Sequence, residues 1–155
     1  MHTGHSVYAT VHANSLNETV ERLVNKPIEV PKNLLAGVNL NVVLFRDRRT
    51  GRRRVFQVGE FIINEKGEIR TNLMYRWNPG NDSIVKHAAS IKLFEDLSRY
   101  TGLNQNDINK DLKTKQDILS WLVKKDIRSV DQVGEVMRQY YLDQDELIKQ
   151  TKKKK

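Results

Sequence analysis

The sequence contains no cysteine, which excludes disulfides, a catalytic thiol and thiolate zinc sites, and agrees with a cytosolic setting. No apolar run approaches the roughly 18 residues that a membrane-spanning helix needs, and the polar N-terminus has no signal-peptide core. There is no G-x-x-x-x-G-K-[ST] loop to cradle phosphates and no G-x-S-x-G elbow to present a nucleophilic serine. His2, His5 and His12 are close in sequence, but without cysteine or a carboxylate at ligand spacing they give a zinc site no support. At 155 residues the chain is long enough for one domain, or one and a fraction, with a real core.

Acidic residues are in the minority, 19 against 27 lysines and arginines, for a net charge of +8. The excess is local. Arg46 to Arg54 holds six arginines and one aspartate, a balance of +5, and Lys152 to Lys155 adds +4, leaving −1 for the remaining chain. Two clusters on a nearly neutral chain are not the continuous basic track that a nucleic-acid backbone needs. The Lys152 to Lys155 run is expected to be disordered.

The spacing of residues predicts the following elements. Ser15-x-x-Glu18 is a capping box, so a helix should run from about Leu16 to Val24. Lys26-Pro27 and Val30-Pro31 punctuate an extended link, and Pro31 opens a short helical turn through Leu35. Asn41 to Phe45 and Arg53 to Ile63 read as two strands, joined at Arg49-Thr50-Gly51 into an antiparallel hairpin. After a turn at Glu65-Lys66-Gly67, alternation from Ile69 to Trp77 predicts a third strand at the sheet edge. Asn78-Pro79-Gly80-Asn81 is a further turn. From Asp82 helical periodicity takes over, with Ile84, Ala88, Ile91, Phe94 and Leu97 on one stripe and Gly102 past its end. A short helix near Gln105 to Leu112, a second carrying Ile118, Leu119 and Leu122, and a third capped by Ser129-x-x-Gln132 complete a small helical bundle.

The most informative stretch is Thr3-Gly4-His5-Ser6-Val7-Tyr8-Ala9-Thr10-Val11-His12-Ala13-Asn14. Gly4 permits a turn, and Val7 to Val11 is a β-branched and aromatic run suited to a strand. Along a strand Val7, Ala9 and Val11 would face a core while Tyr8, Thr10 and His12 reach the other surface. A strand leading through a polar end into a helix start is a common setting for phosphate chemistry. The T-G-H, short strand and T-x-H-A resemble the histidine box of the secretion ATPase superfamily, the hexameric motors of type II secretion, type IV pili and the archaeal flagellum. Beyond the box, Arg54-Val55, Val58-Gly59-Glu60-Phe61, Leu73-x-Tyr75-x-Trp77, Ile118-Leu119-x-Trp121-Leu122 and Tyr140-Tyr141 are similar to the archaeal branch.

The resemblance implies an α/β fold: the last strands of a RecA-like motor core with an antiparallel β extension over 1–77, a helical subdomain over 78–148 and a basic tail over 149–155. It implies a hexamer that uses ATP and magnesium to drive assembly or transport, cytoplasmic and held at the membrane by an inner-membrane platform protein. His12 takes the nucleotide-sensing role, with Thr10 beside it and His5 supporting the turn. Since the phosphate loop and Walker B element are missing from these 155 residues, the chain alone is expected to be inactive. Arg48, Arg49, Arg52 and Arg53 are interface candidates, because arginine forks bind carboxylate or phosphate where subunits meet. Glu60, alone on its strand, reads as a structural carboxylate paired with an arginine. Tyr75, Trp77, Trp121, Tyr140 and Tyr141 read as packing residues rather than base-stacking platforms. Two other classes fit the composition: a basic adaptor that binds nucleic acid without catalysis, and a helical partner-docking module.

Overall fold

The computed structural model describes residues 7–152. The elements are α1 (Leu16–Val24), α2 (Lys32–Leu35), β1 (Asn41–Arg46), β2 (Arg53–Ile63), β3 (Ile69–Asn78), β4 (Ser83–Lys86), α3 (Lys92–Thr101), α4 (Gln105–Lys124), α5 (Val130–Leu142) and α6 (Gln144–Lys152). The fold is α/β, with a four-stranded antiparallel sheet in the order β1-β2-β3-β4. The chain divides into two compact units, one through Asp96 and one from Leu97.

In the first unit α1 starts where the capping box places it: Ser15 Oγ accepts from the Glu18 amide at 3.1 Å. The Glu18 carboxylate reaches one residue further back than a capping box requires, accepting from the Asn14 amide at 2.8 Å and its side chain at 3.0 Å. α1 lies on β2 and β3. Leu16 is buried and donates its amide to Gln57 Oε1 at 3.0 Å. The close approach requires Gly59, since a β-carbon there would lie 2.5 Å from Leu16 Cδ1 and 2.6 Å from the Asn72 carbonyl. Gly51 closes the β1–β2 turn with φ of 71°, a left-handed conformation that glycine adopts without a β-carbon penalty.

Three expectations for this unit change. Val7 to Val11 forms no strand and is exposed, Val7, Ala9 and Val11 included; a strand exists only where a ladder partner pairs with it, and none does among the described residues. β3 is an inner strand rather than an edge, because β4 pairs with it in the register Trp77↔Ile84 and Arg76↔Val85. The helix expected from Asp82 therefore begins only at Lys92: the β-branched Ile84-Val85 run satisfies its backbone on the open side of β3 instead.

The second unit is helical. Its core is Ile118, Leu122, Val136 and Leu147, with Trp121, Ile127, Met137 and Tyr140 packed around it. Two expected helices merge into the single α4, because nothing between Leu112 and Ile118 breaks it: Lys113–Asp117 and Lys115–Asp111 pairs lace that stretch. α4 ends in a Schellman turn in which Asp126 (φ 56°) and Ile127 donate to the Val123 and Leu122 carbonyls. Ser129 Oγ caps α5, accepting from the Gln132 amide at 3.2 Å. α6 was not expected, yet it supplies the fully buried Leu147. It continues through Lys152, correcting the expectation of disorder at that residue; residues 153–155 lie outside those described. Tyr141 is 82% exposed, so it is not the packing residue expected, although its ring meets Tyr140 edge-on at 5.2 Å.

Candidate functional site

His5, with Thr3 and Gly4, lies outside the described residues, so the site begins at Val7. Thr10 and His12 are both exposed on a segment without regular secondary structure, and neither side chain hydrogen-bonds to another described residue. The segment's far end is anchored. Glu18 holds Asn14 and accepts Arg22 Nε at 2.8 Å, and the Asn14 amide, with Arg22 after it, draws the Glu18 carboxyl below its ordinary pKa. The box thus runs into a helix N-terminus tied to the sheet through Gln57, where backbone amides favour negative charge. Its apolar members have no such anchor, Val7 being 50% and Tyr8 97% exposed.

The second candidate is the arginine hairpin. Asp47 organises its turn, accepting the Thr50 hydroxyl at 2.6 Å and the Arg49 amide at 2.9 Å. Arg48, Arg49, Arg52 and Arg53 are exposed. Arg54 is committed to the fold: its Nε and Nη2 each lie 2.7 Å from an oxygen of Asp82. Asp82 also accepts Trp77 Nε1 at 2.8 Å, and Arg52 comes within 4.0 Å. Arg54, aided by Trp77, holds the Asp82 carboxyl far below the usual carboxylate range. No hydrogen bond or ion pair links the hairpin to Thr10 or His12 among the described residues, so the predicted sites form two separate groups.

Two carboxylates matter in ways that sequence reasoning missed. Glu60 is fully buried and structural, but among the described residues it meets no arginine, which corrects that part of the expectation. It accepts instead from the Ile91 amide at 2.5 Å, the Leu93 amide at 3.0 Å, Asn72 Nδ2 at 2.9 Å and Ser90 Oγ at 3.3 Å. Burial alone pushes its carboxyl up, but these four donors outweigh it and leave the pKa lowered. Glu60 thus serves as the cap of α3, a role hidden because the cap lies about thirty residues away in sequence rather than at the helix start. Asp82 is the other: one acidic residue in a turn, with a clustered set of arginines elsewhere, was the available signal.

In the second unit Asp111 accepts the Tyr140 hydroxyl at 2.8 Å and Lys115 Nζ at 2.6 Å. Burial, reinforced by that carboxylate, pushes the Tyr140 phenol up to about 12. Among the described residues no group of histidines and carboxylates could hold a metal ion, and no helix is long and apolar enough to cross a membrane.

No protein-family model matches the chain. It is similar to three proteins of Methanocaldococcus jannaschii, each named only as uncharacterized. MJ0781 is 28% identical over 144 residues, 90% of this chain and 20% of the relative. MJ0900 is 29% identical over 150 residues, 91% of this chain and 27% of the relative. MJ1287 is 27% identical over 126 residues, 79% of this chain and 46% of the relative. The chain therefore spans less than half the length of each of these relatives.

Proposed function

We propose that this chain is the C-terminal part of a hexameric secretion-type ATPase, cytoplasmic and peripheral at the membrane through a platform protein, that drives pilus, flagellum or secretion assembly. The observation that carries the reading is the box segment. Val7 to Val11 has the composition of a strand, contains Thr10 and is followed by His12, and is exposed along its length with no pairing partner among the described residues. Leaving Val7 and Tyr8 in water forgoes the burial that such side chains ordinarily gain, about 1.5–3 kcal/mol for a fully buried valine or larger apolar residue. A segment of that kind suits the edge of a sheet supplied by the nucleotide-binding half of the motor.

On this reading His12 donates a hydrogen bond to the terminal phosphate, and Thr10 adds a hydroxyl beside it. Both fit, being exposed donors without another partner among the described residues. Among the described residues none cradles a triphosphate beside them, and on this reading the remainder of the nucleotide site belongs to the other half. ATP supplies the phosphoryl group whose oxygens gain charge during transfer, and a donor aimed at that charge accelerates the reaction without tightening ground-state binding.

The test is ATP turnover by the longer protein carrying this segment. Magnesium-dependent hydrolysis should fall by on the order of 10²–10³ in His12→Ala, with nucleotide affinity retained and the ring intact. Undiminished turnover in a folded hexamer would reduce His12 to a structural residue. Residues 1–155 alone should show no hydrolysis above the His12→Ala control.

A further inference from the structure

One face of the β1–β2 hairpin is apolar, basic and uncovered. Directly opposed residues of antiparallel strands share a face, so the pairs Val42–Val58, Leu44–Val55 and Arg46–Arg53 lie on one side of the sheet. Glu60 is on that side too, beneath the Ser90–Leu93 segment. Towards the turn the cover ends: Val42 and Val55 are exposed, and Leu44 is 72% exposed. An open depression of about 350 Å³ is lined by Leu44, Arg46, Arg53 and Val55 of this side together with Phe45 and Arg54, whose register puts them on the other. Arg46 and Arg53 stand directly opposite each other, a like-charge pairing that works against the ladder. Neither has a carboxylate partner among the described residues, since Asp82 is taken by Arg54 and Arg52.

The backbone is open as well. Among the described residues β1 is an outer strand that pairs with β2 alone, and no other backbone hydrogen bond reaches its second edge. An outer strand with exposed apolar side chains is a template for strand addition unless something blocks it. β1 has no proline, no lysine and no inward charge to do so, and its sole charged residue is Arg46 at its end.

We propose that the β1 edge takes an extended acidic segment of a partner protein as an added strand. The segment's apolar side chains rest on Leu44 with Val55 behind it, and its carboxylates on the same face reach Arg46 with Arg53 behind it. Charge selects this occupant, because Arg46 to Arg54 carries +5 and Asp82 is its only acidic contact from outside the loop among the described residues. A second copy of the chain would bring the same arginines on a β1 that contains no carboxylate. A nucleic-acid phosphate would match the arginines but leave the apolar face and the amide edge unused. The proposal does not rest on the motor reading, and a failed ATPase test leaves it standing.

The test uses the full chain and three fluorescent seven-residue peptides: one whose every second residue, all on one face of a strand, is valine at one end and aspartate or glutamate at the other with threonine between, its lysine counterpart, and the acidic peptide N-methylated at alternate amides. Fluorescence anisotropy at about 150 mM salt should give saturable binding of the acidic peptide alone, with slower amide exchange along Asn41–Arg46. The double variant Arg46→Glu/Arg53→Glu should weaken it at least about tenfold, and Leu44→Asp should do likewise. These side chains are exposed, and an unchanged circular dichroism spectrum confirms that the variants fold. No binding up to about 1 mM, equal binding of the N-methylated or lysine peptide, tighter binding of an oligonucleotide, or a dimer that already protects β1 would each overturn the proposal.

Discussion

Replacing Glu60 tests how the sheet holds the start of α3. The carboxylate accepts two backbone amides and two side chains with no exposure to water. Hydrogen bonds to a charged group contribute about 1.5–3 kcal/mol each, and a buried donor left without an acceptor costs about 1–3 kcal/mol. Glu60→Ala strands the Ile91 and Leu93 amides together, so a loss of about 3–5 kcal/mol is expected, a large share of a typical domain's total of about 5–15 kcal/mol. Glu60→Gln keeps one acceptor but turns an NH₂ group towards a donor, for about 1.5–3 kcal/mol. Since the folded carboxyl has a lowered pKa, its contribution is complete above the unfolded value of about 4.3 and declines as pH falls through the lower folded value. The assay is urea unfolding followed by Trp77 fluorescence in a Trp121→Phe background, which isolates the sheet, at pH 7 and in acid. The Gln penalty should shrink in acid. A penalty under about 0.5 kcal/mol at pH 7, or one that acid leaves unchanged, would refute the capping role.

Other contacts make further outcomes testable. Gly59→Ala should destabilise the sheet by about 1–3 kcal/mol, because one of the two atoms in the way is the Asn72 carbonyl, which is backbone and cannot swing aside; chemical denaturation measures this, and a neutral result would mean that α1 shifts freely. Tyr140 should ionise near pH 12, visible as an ultraviolet phenolate transition that disappears in Tyr140→Phe. Its raised pKa means that its contribution is present below the unfolded value of about 10 and is lost as pH rises towards 12. Asp82→Asn should release Arg54 and expose Trp77 Nε1 to water, read as a shift in Trp77 emission, whereas Asp131→Asn, on the first turn of α5, should leave it unchanged.

The sequence by itself determined what depends on neighbours in the chain. The bounds of α1 follow from Ser15 and Glu18, and the hairpin with its turn at Gly51 follows from two β-branched runs and a glycine that can adopt positive φ. Both are local decisions, made within a few residues. What only the tertiary structure decided depends on partners distant in sequence. Ile84-Val85 carries a helical period with Ala88 and Ile91, yet it becomes a strand because β3 offers it a ladder. Val7 to Val11 carries a strand composition yet stays unpaired, because no described strand is there to receive it. Glu60 looked like half of an ion pair, and only the return of the chain at Ser90 to Leu93 made it a helix cap. Likewise the arginines read alike in sequence, and it was Asp82, placed by the β3–β4 turn, that took Arg54 into the fold and left Arg46 and Arg53 facing solvent. Periodicity records a preference for pairing or packing, but the choice of partner is a property of the folded chain.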